Sequence, residues 1–532
     1  MLNNKNTDTN ECTSRATCTL SPTIAALESL AVMFLKHLSF YLLELKKLGA
    51  INVQIQQEII DILASLVAVN EYSENELYNI VVNEYFILDE VKNTYSNLSK
   101  ERETDAKSLI LPVEFTEKTT LAQAISMGEK IMLTEEKVSL KKNLLAILLI
   151  ALQSISINFG NYSKLKDFDT KLFYQIITAI NRFNSDDISI KTIKNEIIKI
   201  VNSDFELQIN LANDFLLHFG DISKVLVSHS TRKGKAILVS GNNFTSLYEV
   251  LKLAKENNID VYTHSNLLIA HALGLFNKFE NLQGHFGSKT ENCILDFATF
   301  PGAILMTKNF RNNTEYLYRG RIFSNDYIVP KGVTKIENND FSPIIESSLS
   351  AKGFSKGKSK EDTLLGYDEP EIVTKFAQIA QKLEVGQISR LYIVGIDALL
   401  ERETAYYEKF LKCLKDDEFA ITFSYDVQRE NVLAINVGNF IPLMSRLLSQ
   451  FFRHADISND KISFFFTTCD VMTLSSIILL ASKGAKNIYM SQCVPTIVNP
   501  ATFNTFINEY NVNITSSPKK DLEKIRQKNK AS

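Results

Sequence analysis

The chain has 532 residues, which is too long for a single hydrophobic core and favours about three domains. It is 45% hydrophobic and 22% charged, the ordinary balance of a globular protein that folds in water. The formal net charge of −3 supplies no basic field for nucleic acid or for an anionic membrane surface. We therefore expect neither a nucleic-acid-binding protein nor a peripheral membrane protein.

The chain begins with a polar segment, residues 1–22, which lacks the apolar core of a secretory signal and predicts a flexible lead. Two apolar stretches follow, at 23–45 and 144–152. The first is interrupted by charged residues such as Glu28 and Lys36, and the second is shorter than the roughly 20 residues that cross a bilayer. We expect a cytoplasmic protein without a membrane span.

The cysteines are scattered along the chain and include no Cys-x-x-Cys pair. They are Cys12, Cys18, Cys293, Cys413, Cys469 and Cys493. Six cysteines are too few for a disulfide scaffold in a chain of this length, so we expect reduced thiols.

A helical pattern extends from residue 23 to about residue 219, with apolar residues recurring at intervals of three and four. Ser73 and Glu76 have the spacing of a capping box, which indicates a helix start. These features predict an antiparallel helical domain over residues 23–220.

From about residue 221 short apolar runs alternate with helical ones, which predicts parallel sheets with crossover helices. Strands are expected at 236–240, 259–263, 300–310, 390–395, 419–424, 461–466, 487–491 and 512–515. The polar stretch 347–368 indicates a boundary between two α/β domains, at 221–355 and 356–532. The predicted fold is α + α/β: an antiparallel helical domain followed by two doubly wound, Rossmann-like parallel sheets, with ligands at the carboxyl ends of the strands.

Three motifs in the first α/β region resemble successive signatures of one family. Residues 261–264 read Val-Tyr-Thr-His, residues 284–287 read Gly-His-Phe-Gly, and residues 300–309 read Phe-Pro-Gly-Ala-Ile-Leu-Met-Thr-Lys-Asn. This pattern is similar to that of the hybrid cluster proteins, also called prismane proteins or hydroxylamine reductases, and the resemblance extends over nearly the whole chain. It implies a helical domain and two α/β domains, with a metal centre buried where they meet.

The resemblance also implies an iron, sulfur and oxygen cluster held by one His, two Glu and four Cys, with a Lys close by. In this chain those positions carry Asn242 for the His, Asn266 and Asp470 for the Glu residues, Phe310, Asp397, Tyr425 and Phe440 for the Cys residues, and Met472 for the Lys. Only Asp470 keeps the character of the family's ligand. Because thiolates are the chief ligands of iron–sulfur clusters, these eight residues predict a former cluster pocket that no longer holds the hybrid cluster.

A second site is implied at the N-terminus, where the family has four cysteines for a conventional cluster. Cys12 and Cys18 match two of them, and residues 1–10 contain none. Two thiolates are half of the usual set, so we interpret Cys12 and Cys18 as a vestigial metal site. A cluster shared across a dimer, or a single metal ion completed by other groups, is the alternative interpretation.

Other candidate groups lie near the predicted strand ends. His264, His271 and His285 show no metal-binding spacing with carboxylates or thiols, and His264, at the end of a predicted strand, is expected to be a hydrogen-bonded structural histidine. Cys469 and Asp470 place a thiol beside a carboxylate, but no neighbouring cation is evident to activate the thiol, so an inert buried cysteine is expected.

Three hypotheses for the function follow. The first is a degenerate family member without cofactor that acts as a binding or assembly protein, as a homo-oligomer or with an intact paralogue. The second is an active oxidoreductase that reduces hydroxylamine to ammonia, or reduces nitric oxide, through an altered iron–sulfur site. The third is a small-molecule site in the emptied crevice. The residues expected to line that crevice are Asn242, Asn266, Asp397, Tyr425 and Asp470.

Overall fold

The structure is a computed structural model, and the statements below concern the residues that it describes. These are 20–50, 52–134, 139–163, 165–185, 187–287, 293–307, 320–326, 329, 332–397, 401–423, 429–491 and 500–528. The predicted flexible lead therefore lies almost entirely outside the described residues.

The N-terminal part of the described chain is helical. Its helices are α1 (Pro22–Lys47), α2 (Val53–Ser65), α3 (Glu74–Glu101), α4 (Leu121–Thr134), α5 (Leu140–Tyr162), α6 (Thr170–Asn181) and α7 (Ile190–Phe219). Helix α3 begins with the predicted capping box, in which the Ser73 side chain accepts from the Glu76 amide and the Glu76 side chain accepts from the Ser73 amide. Helix α7 ends at Gly220, whose φ of 89° favours glycine.

Helices α1 and α5 are long and apolar enough to cross a bilayer by length and composition alone. However, 67% of the apolar window of α1 and 78% of that of α5 is buried inside the protein, as in the core helices of soluble proteins. Helix α5 spans 23 residues, so the predicted apolar stretch 144–152 is only its central part.

The first α/β region forms a parallel sheet in the order β4-β3-β2-β5-β6-β7. Its strands are β2 (Ala236–Ser240), β3 (Asp260–His264), β4 (Leu282–His285), β5 (Ala303–Met306), β6 (Ile322–Ser324) and β7 (Thr334–Lys335). Its helices are α8 (Phe244–Glu256), α9 (Cys293–Thr299) and α10 (Ser342–Ser350), together with two 3₁₀ helices at Ser265–Ala272 and Phe276–Lys278. Strands β2, β3 and β5 are buried along their whole length, because helices cover both faces of such a sheet.

The second α/β region repeats this plan in the order β11-β10-β9-β12-β13-β14, again with parallel pairing. Its strands are β9 (Arg390–Val394), β10 (Glu418–Thr422), β11 (Val432–Ala434), β12 (Ile462–Phe466), β13 (Asn487–Met490) and β14 (Val512–Ile514). Its helices are α11 (Glu369–Glu384), α12 (Glu401–Lys412), α13 (Ile441–Phe451), α14 (Val471–Ser482), α15 (Pro500–Glu509) and α16 (Pro518–Lys528).

In both sheets the first strand lies in the middle, the next two strands extend the sheet to one edge, and the last three strands form the other half. The order reverses between β2 and β5 in the first sheet and between β9 and β12 in the second. Such switch points are where open α/β sheets bind ligands. The predicted fold, a helical domain followed by doubly wound parallel sheets, is confirmed.

A small antiparallel sheet connects the two α/β regions. Strand β1 (Val225–Val227) precedes the first parallel sheet and pairs with β8 (Thr363–Leu365), which precedes the second. Isolated bridges extend this pairing between Thr231 and Lys358 and between Gly234 and Phe354. The domain boundaries at residues 220 and 355 stay predictions.

Candidate functional site

The switch point of the first sheet is bridged by Thr307, which follows β5. Its Oγ1 accepts hydrogen bonds from the backbone amides of Asn242 and Asn243, at 3.0 and 3.1 Å, and donates to the carbonyl oxygen of Ser240 at 2.9 Å. The Thr307 side chain is buried. The backbone groups at the end of β2 are therefore already satisfied within the protein, at the place where a ligand would contact them.

Asn242 and Phe440, two residues of the predicted cluster pocket, line the same cavity, between α7, the start of α8 and the start of α13. Its volume is about 50 Å³, which is room for a few water molecules. Leu165 and Leu211 form part of the apolar wall, and Asn161 also lines the cavity. The structure thus brings Asn242 and Phe440 together at the wall of one small, mainly apolar cavity.

Phenylalanine rings surround this cavity. The ring of Phe440 lies 4.6 Å from that of Phe215 and 5.5 Å from that of Phe244, and the rings of Phe215 and Phe244 are 4.6 Å apart. Phe219 stacks on Phe276 at 5.4 Å and lies 5.9 Å from Phe244. We call these five residues the aromatic cluster. It joins the helical region to both α/β regions, where the resemblance implies the family's metal centre.

Asp397 lies at the switch point of the second sheet, directly after β9. Its Oδ2 accepts hydrogen bonds from the backbone amides of Thr467 and Thr468, each at 2.7 Å, and from Thr468 Oγ1 at 2.9 Å. Its Oδ1 accepts from Thr467 Oγ1 at 3.1 Å. Both carboxyl oxygens therefore point into the turn that follows β12, and the side chain is 1% exposed.

The environment of Asp397 favours its protonated form. Burial raises the pKa of this carboxyl to about 7, the hydrogen bonds from Thr468 oppose that shift, and the nearby charge of Asp470 adds to it. Asp397 thus acts as a buried cross-link between two strand ends.

Three further predicted pocket residues have structural roles. Asp470 is exposed and caps α14, where its Oδ1 accepts from the Thr473 amide at 2.9 Å, and its Oδ2 accepts from Thr468 Oγ1 at 3.2 Å. Met472 is half-buried and packs against the main apolar core. Asn266 is half-buried in the 3₁₀ helix after β3. Asp470 and Asp397 share a partner in Thr468.

The remaining predicted site residues, Phe310, Tyr425, Cys12 and Cys18, lie outside the described residues. Their predicted roles stay predictions. Cys469 takes part in a disulfide, and its partner is not among the side chains that the structure describes. The expectation of a reduced, inert thiol is therefore wrong for Cys469. Cys413, in contrast, is a free thiol.

The predicted histidines form a buried hydrogen-bond network behind the first switch point. Thr263 Oγ1 lies 2.9 Å from both His271 Nε2 and His285 Nδ1. Burial lowers the pKa of His271 to about 4, which keeps the ring neutral. His264 likewise has two hydrogen-bond partners, so the expectation of a structural histidine at this position agrees with its contacts.

His264 connects a serine and an aspartate. Its Nδ1 lies 2.8 Å from Ser240 Oγ, and its Nε2 lies 3.3 Å from Asp296 Oδ2. This order resembles a hydrolytic triad, but Ser240 and His264 are fully buried, so the hydroxyl has no exposed surface for a substrate to contact. We interpret the arrangement as a structural one that ties α9 to the ends of β2 and β3.

A second buried carboxylate, Asp204 on α7, was not predicted from the sequence. It accepts hydrogen bonds from Ser154 Oγ at 2.6 Å, Asn158 Nδ2 at 2.7 Å and Ser475 Oγ at 2.9 Å. Burial raises its pKa, and these bonds partly offset the shift. The signal was present in the sequence, because Asp204 lies on the apolar stripe of α7. That stripe comprises Ile193, Ile197, Ile200, Val201, Leu207 and Leu211.

The described residues of the former cluster pocket do not fit the cluster that the resemblance implies. Asn242 offers a neutral amide, Phe440 a hydrocarbon ring and Met472 a thioether, while Asp397 has both oxygens engaged by Thr467 and Thr468. Among the described residues, no group of three or more His, Cys, Asp or Glu side chains is placed to hold a metal ion. A cluster of this kind requires several thiolates, which these positions lack.

Comparisons with known proteins agree with the fold and with the motifs. The model of the Prismane/CO dehydrogenase family matches residues 6–435. A hydroxylamine reductase from Thermodesulfovibrio yellowstonii is 24% identical over 549 aligned residues, which cover 97% of this chain and 98% of that protein. A hydroxylamine reductase from Natranaerobius thermophilus is 22% identical, with 97% of this chain and 96% of that protein covered.

Among solved structures, a Ni-free carbon monoxide dehydrogenase from Thermococcus sp. AM4 superposes with a TM-score of 0.50. It is 11% identical in sequence, and the match covers 94% of this chain and 84% of that chain. At this identity the likeness shows a shared fold. The family model, in contrast, covers most of the sequence, and the chain therefore belongs to the Prismane/CO dehydrogenase family.

Proposed function

We propose that this chain is a cluster-free member of its family, retained in the cytoplasm as a binding or assembly protein and without reductase activity. The observation that carries the proposal is the aromatic cluster, in which Phe440 packs between Phe215 and Phe244 at the junction of the three regions. A ring at this position supplies packing where the family pattern has a thiolate ligand.

The two switch points support the proposal independently. Thr307 satisfies the backbone amides at the end of β2, and Asp397 is held by amides and hydroxyls at the end of β12. A carboxylate that ligated a metal ion would have to give up these bonds and leave buried amides unpaired, which costs roughly 1–3 kcal/mol for each group. At Asp397, local hydrogen bonding therefore competes with metal binding.

Metal content after anaerobic purification tests the proposal. We expect less than one iron and less than one acid-labile sulfide per chain, and no visible charge-transfer band, before and after reconstitution with iron and sulfide. An intact hydroxylamine reductase purified in parallel is the control for cluster loss during handling. Several irons and sulfides per chain, at levels comparable to that control, would contradict the proposal.

The binding role requires a partner, and we propose a second copy of this chain or an intact paralogue. Light scattering coupled to gel filtration measures whether the chain associates with a second copy of itself. Co-purification of the tagged chain with the paralogue from the same cell measures whether the two proteins form a complex. We expect a stable complex in one of the two experiments. A strictly monomeric chain that leaves the paralogue free would argue against an assembly role while leaving the metal result unaffected.

A second candidate function is reduction of hydroxylamine or nitric oxide through an altered iron–sulfur site. Similarity over 97% of the chain to proteins named hydroxylamine reductase favours it. Turnover of hydroxylamine with a reduced dye by anaerobically reconstituted protein tests this candidate. Activity that is lost in Asp470→Ala or Asp397→Ala protein, while Glu129→Ala on the exposed face of α4 has no effect, would favour the reductase over the cluster-free protein.

A further inference from the structure

A cavity in the helical region lies away from both switch points and from the aromatic cluster. Its volume is about 170 Å³, slightly more than the ~150 Å³ of an engineered cavity that binds benzene. Helices α1, α2, α3 and α6 enclose it. Leu42 and Leu45 of α1, Val91 of α3 and Tyr174 of α6 supply apolar walls.

One buried polar group in the wall lacks a partner. Gln56 on α2 is 1% exposed, and its Oε1 has no hydrogen bond to any described residue. Rotation about the last torsion of the side chain, which is broad for glutamine, can direct this oxygen into the cavity. A buried oxygen without a partner costs about 1–3 kcal/mol, which a bound hydrogen-bond donor would recover.

The rim of the cavity is exposed and carries a carboxylate. Glu90 and Thr94 on α3 and Asn52 at the start of α2 line it and are exposed. Glu90 forms no ion pair within the described part of the chain, and the side chain of Asn52 is already engaged in capping α2. The polar groups that line the cavity are thus the Glu90 carboxylate, the Thr94 hydroxyl and the Gln56 amide, and each of them can accept a hydrogen bond.

We propose that this cavity binds a small apolar amine, of about the size of a single ring with a one-carbon or two-carbon side chain. The hydrocarbon part would contact Leu42, Leu45, Val91 and Tyr174. The ammonium group would donate to Gln56 Oε1 and lie near Glu90. An amine fits better than an acid because Glu90 repels a carboxylate, and better than a pure hydrocarbon because the ammonium group can donate to the unpaired oxygen of Gln56.

Binding of benzylamine to the full-length protein tests this proposal, with benzyl alcohol and benzoate as size-matched probes. We expect saturable binding of benzylamine by calorimetry and a matching rise in the melting temperature, weaker binding of the alcohol and none of benzoate. Equal binding of the three probes, or binding of none, would overturn the proposal.

Matched variants locate the site. Gln56→Met keeps the length of the side chain and removes the amide, and we expect about a tenfold or greater loss of benzylamine affinity, as for a lost hydrogen bond to a charged group. The control is Gln54→Met, an exposed position on the same helix, which should bind as wild type. Unchanged affinity in Gln56→Met protein would overturn the assignment.

The rim provides a variant that does not disturb the core. Glu90→Gln should weaken benzylamine binding several-fold, in keeping with a partly exposed ion pair, and leave benzyl alcohol binding unchanged. Glu129→Gln, on the exposed face of α4, is the control for net charge. If both charge variants weaken binding equally, the effect of Glu90 is non-specific and the proposed geometry is wrong.

Discussion

Asp397 Oδ2 lies 2.7 Å from the backbone amide nitrogen of Thr468, seventy-one residues further along the chain. This bond and its neighbour from Thr467 hold the end of β9 against the turn after β12. Because burial raises the pKa of Asp397 to about 7, the folded protein binds its proton more tightly than the unfolded chain does. The stability that Asp397 contributes is therefore fully present below the unfolded pKa and is lost as the pH rises through about 7.

Asp397→Asn should remove the dependence of stability on pH that Asp397 causes. The amide resembles the protonated carboxyl, so we expect similar stability of variant and wild type near pH 4. Above pH 7 the free energy of unfolding of the variant should exceed that of the wild type by roughly 3–4 kcal/mol, which is the equivalent of a shift of about three pKa units. Urea unfolding at intervals of pH measures the difference. Asp169→Asn, at the exposed N-cap of α6, where asparagine also accepts the capping bond, is the control. A constant difference between Asp397→Asn and wild type across this range would contradict the prediction.

The aromatic cluster makes a second prediction. Phe440→Ala removes a ring that contacts Phe215 and Phe244, and the loss should lower the free energy of unfolding by about 2–4 kcal/mol, somewhat less than for a fully buried ring. Phe86→Ala is the matched control, because Phe86 is 49% exposed on α3, and we expect a change below about 1 kcal/mol. Equal destabilisation by the two substitutions would show that Phe440 has no special packing role.

The order of the elements followed from sequence periodicity, because buried parallel strands give continuous apolar runs and the helices give an apolar stripe. The limits of single elements were less accurate. The strand predicted from residue 300 begins at Ala303 in the structure, since Pro301 has no amide proton to pair and the backbone of Gly302 packs tightly against Ala236. Local chemistry of this kind shifts a strand start without changing the sheet order.

The site was predictable only in part. Strand ends place Asn242 and Asp397 at the two switch points, and the resemblance identified both positions. The partners of Asp397 were not predictable, because Thr467 and Thr468 reach it only through the pairing of β9 with β12. Gln56 and Asp204 each lie on an apolar helix stripe, a signal that marks a buried polar residue but does not identify what it bonds.

The hydroxyl of Ser475 makes a third prediction. It donates to Asp204 Oδ2 at 2.9 Å and so links α14 of the second α/β region to α7 of the helical region. Ser475→Ala should lower the free energy of unfolding by about 1.5–3 kcal/mol, because the lost bond is to a buried carboxyl group. The control is Ser476→Ala, whose hydroxyl donates to the Met472 carbonyl of its own helix, with an expected change below about 0.5 kcal/mol. Urea unfolding that ranks the two variants equally would contradict the prediction.

The fourth prediction concerns His271 and the stability of the protein at acidic pH. Burial lowers its pKa to about 4 from an ordinary value of 6.5, so the unfolded chain takes up the proton more readily. Its contribution to stability is present above pH 6.5 and is lost as the pH falls through about 4, by roughly 3 kcal/mol. Because Asp397 acts in the opposite direction over the same range, the two contributions partly cancel in the wild type. The effect of His271 is therefore measured as the difference between variant and wild type.

His271→Gln keeps a neutral polar side chain near Thr263 and cannot take up a proton. We expect it to be less stable than the wild type at pH 7.5, because the ring packing and the bond to Thr263 Oγ1 are altered. Its deficit should shrink by roughly 3 kcal/mol as the pH falls to 4, since only the wild type then loses stability at this position. His218→Gln, at an exposed position near the end of α7, should leave the pH profile of the wild type unchanged. A deficit of His271→Gln that stays constant from pH 7.5 to pH 4 would show that His271 is not the group that resists protonation.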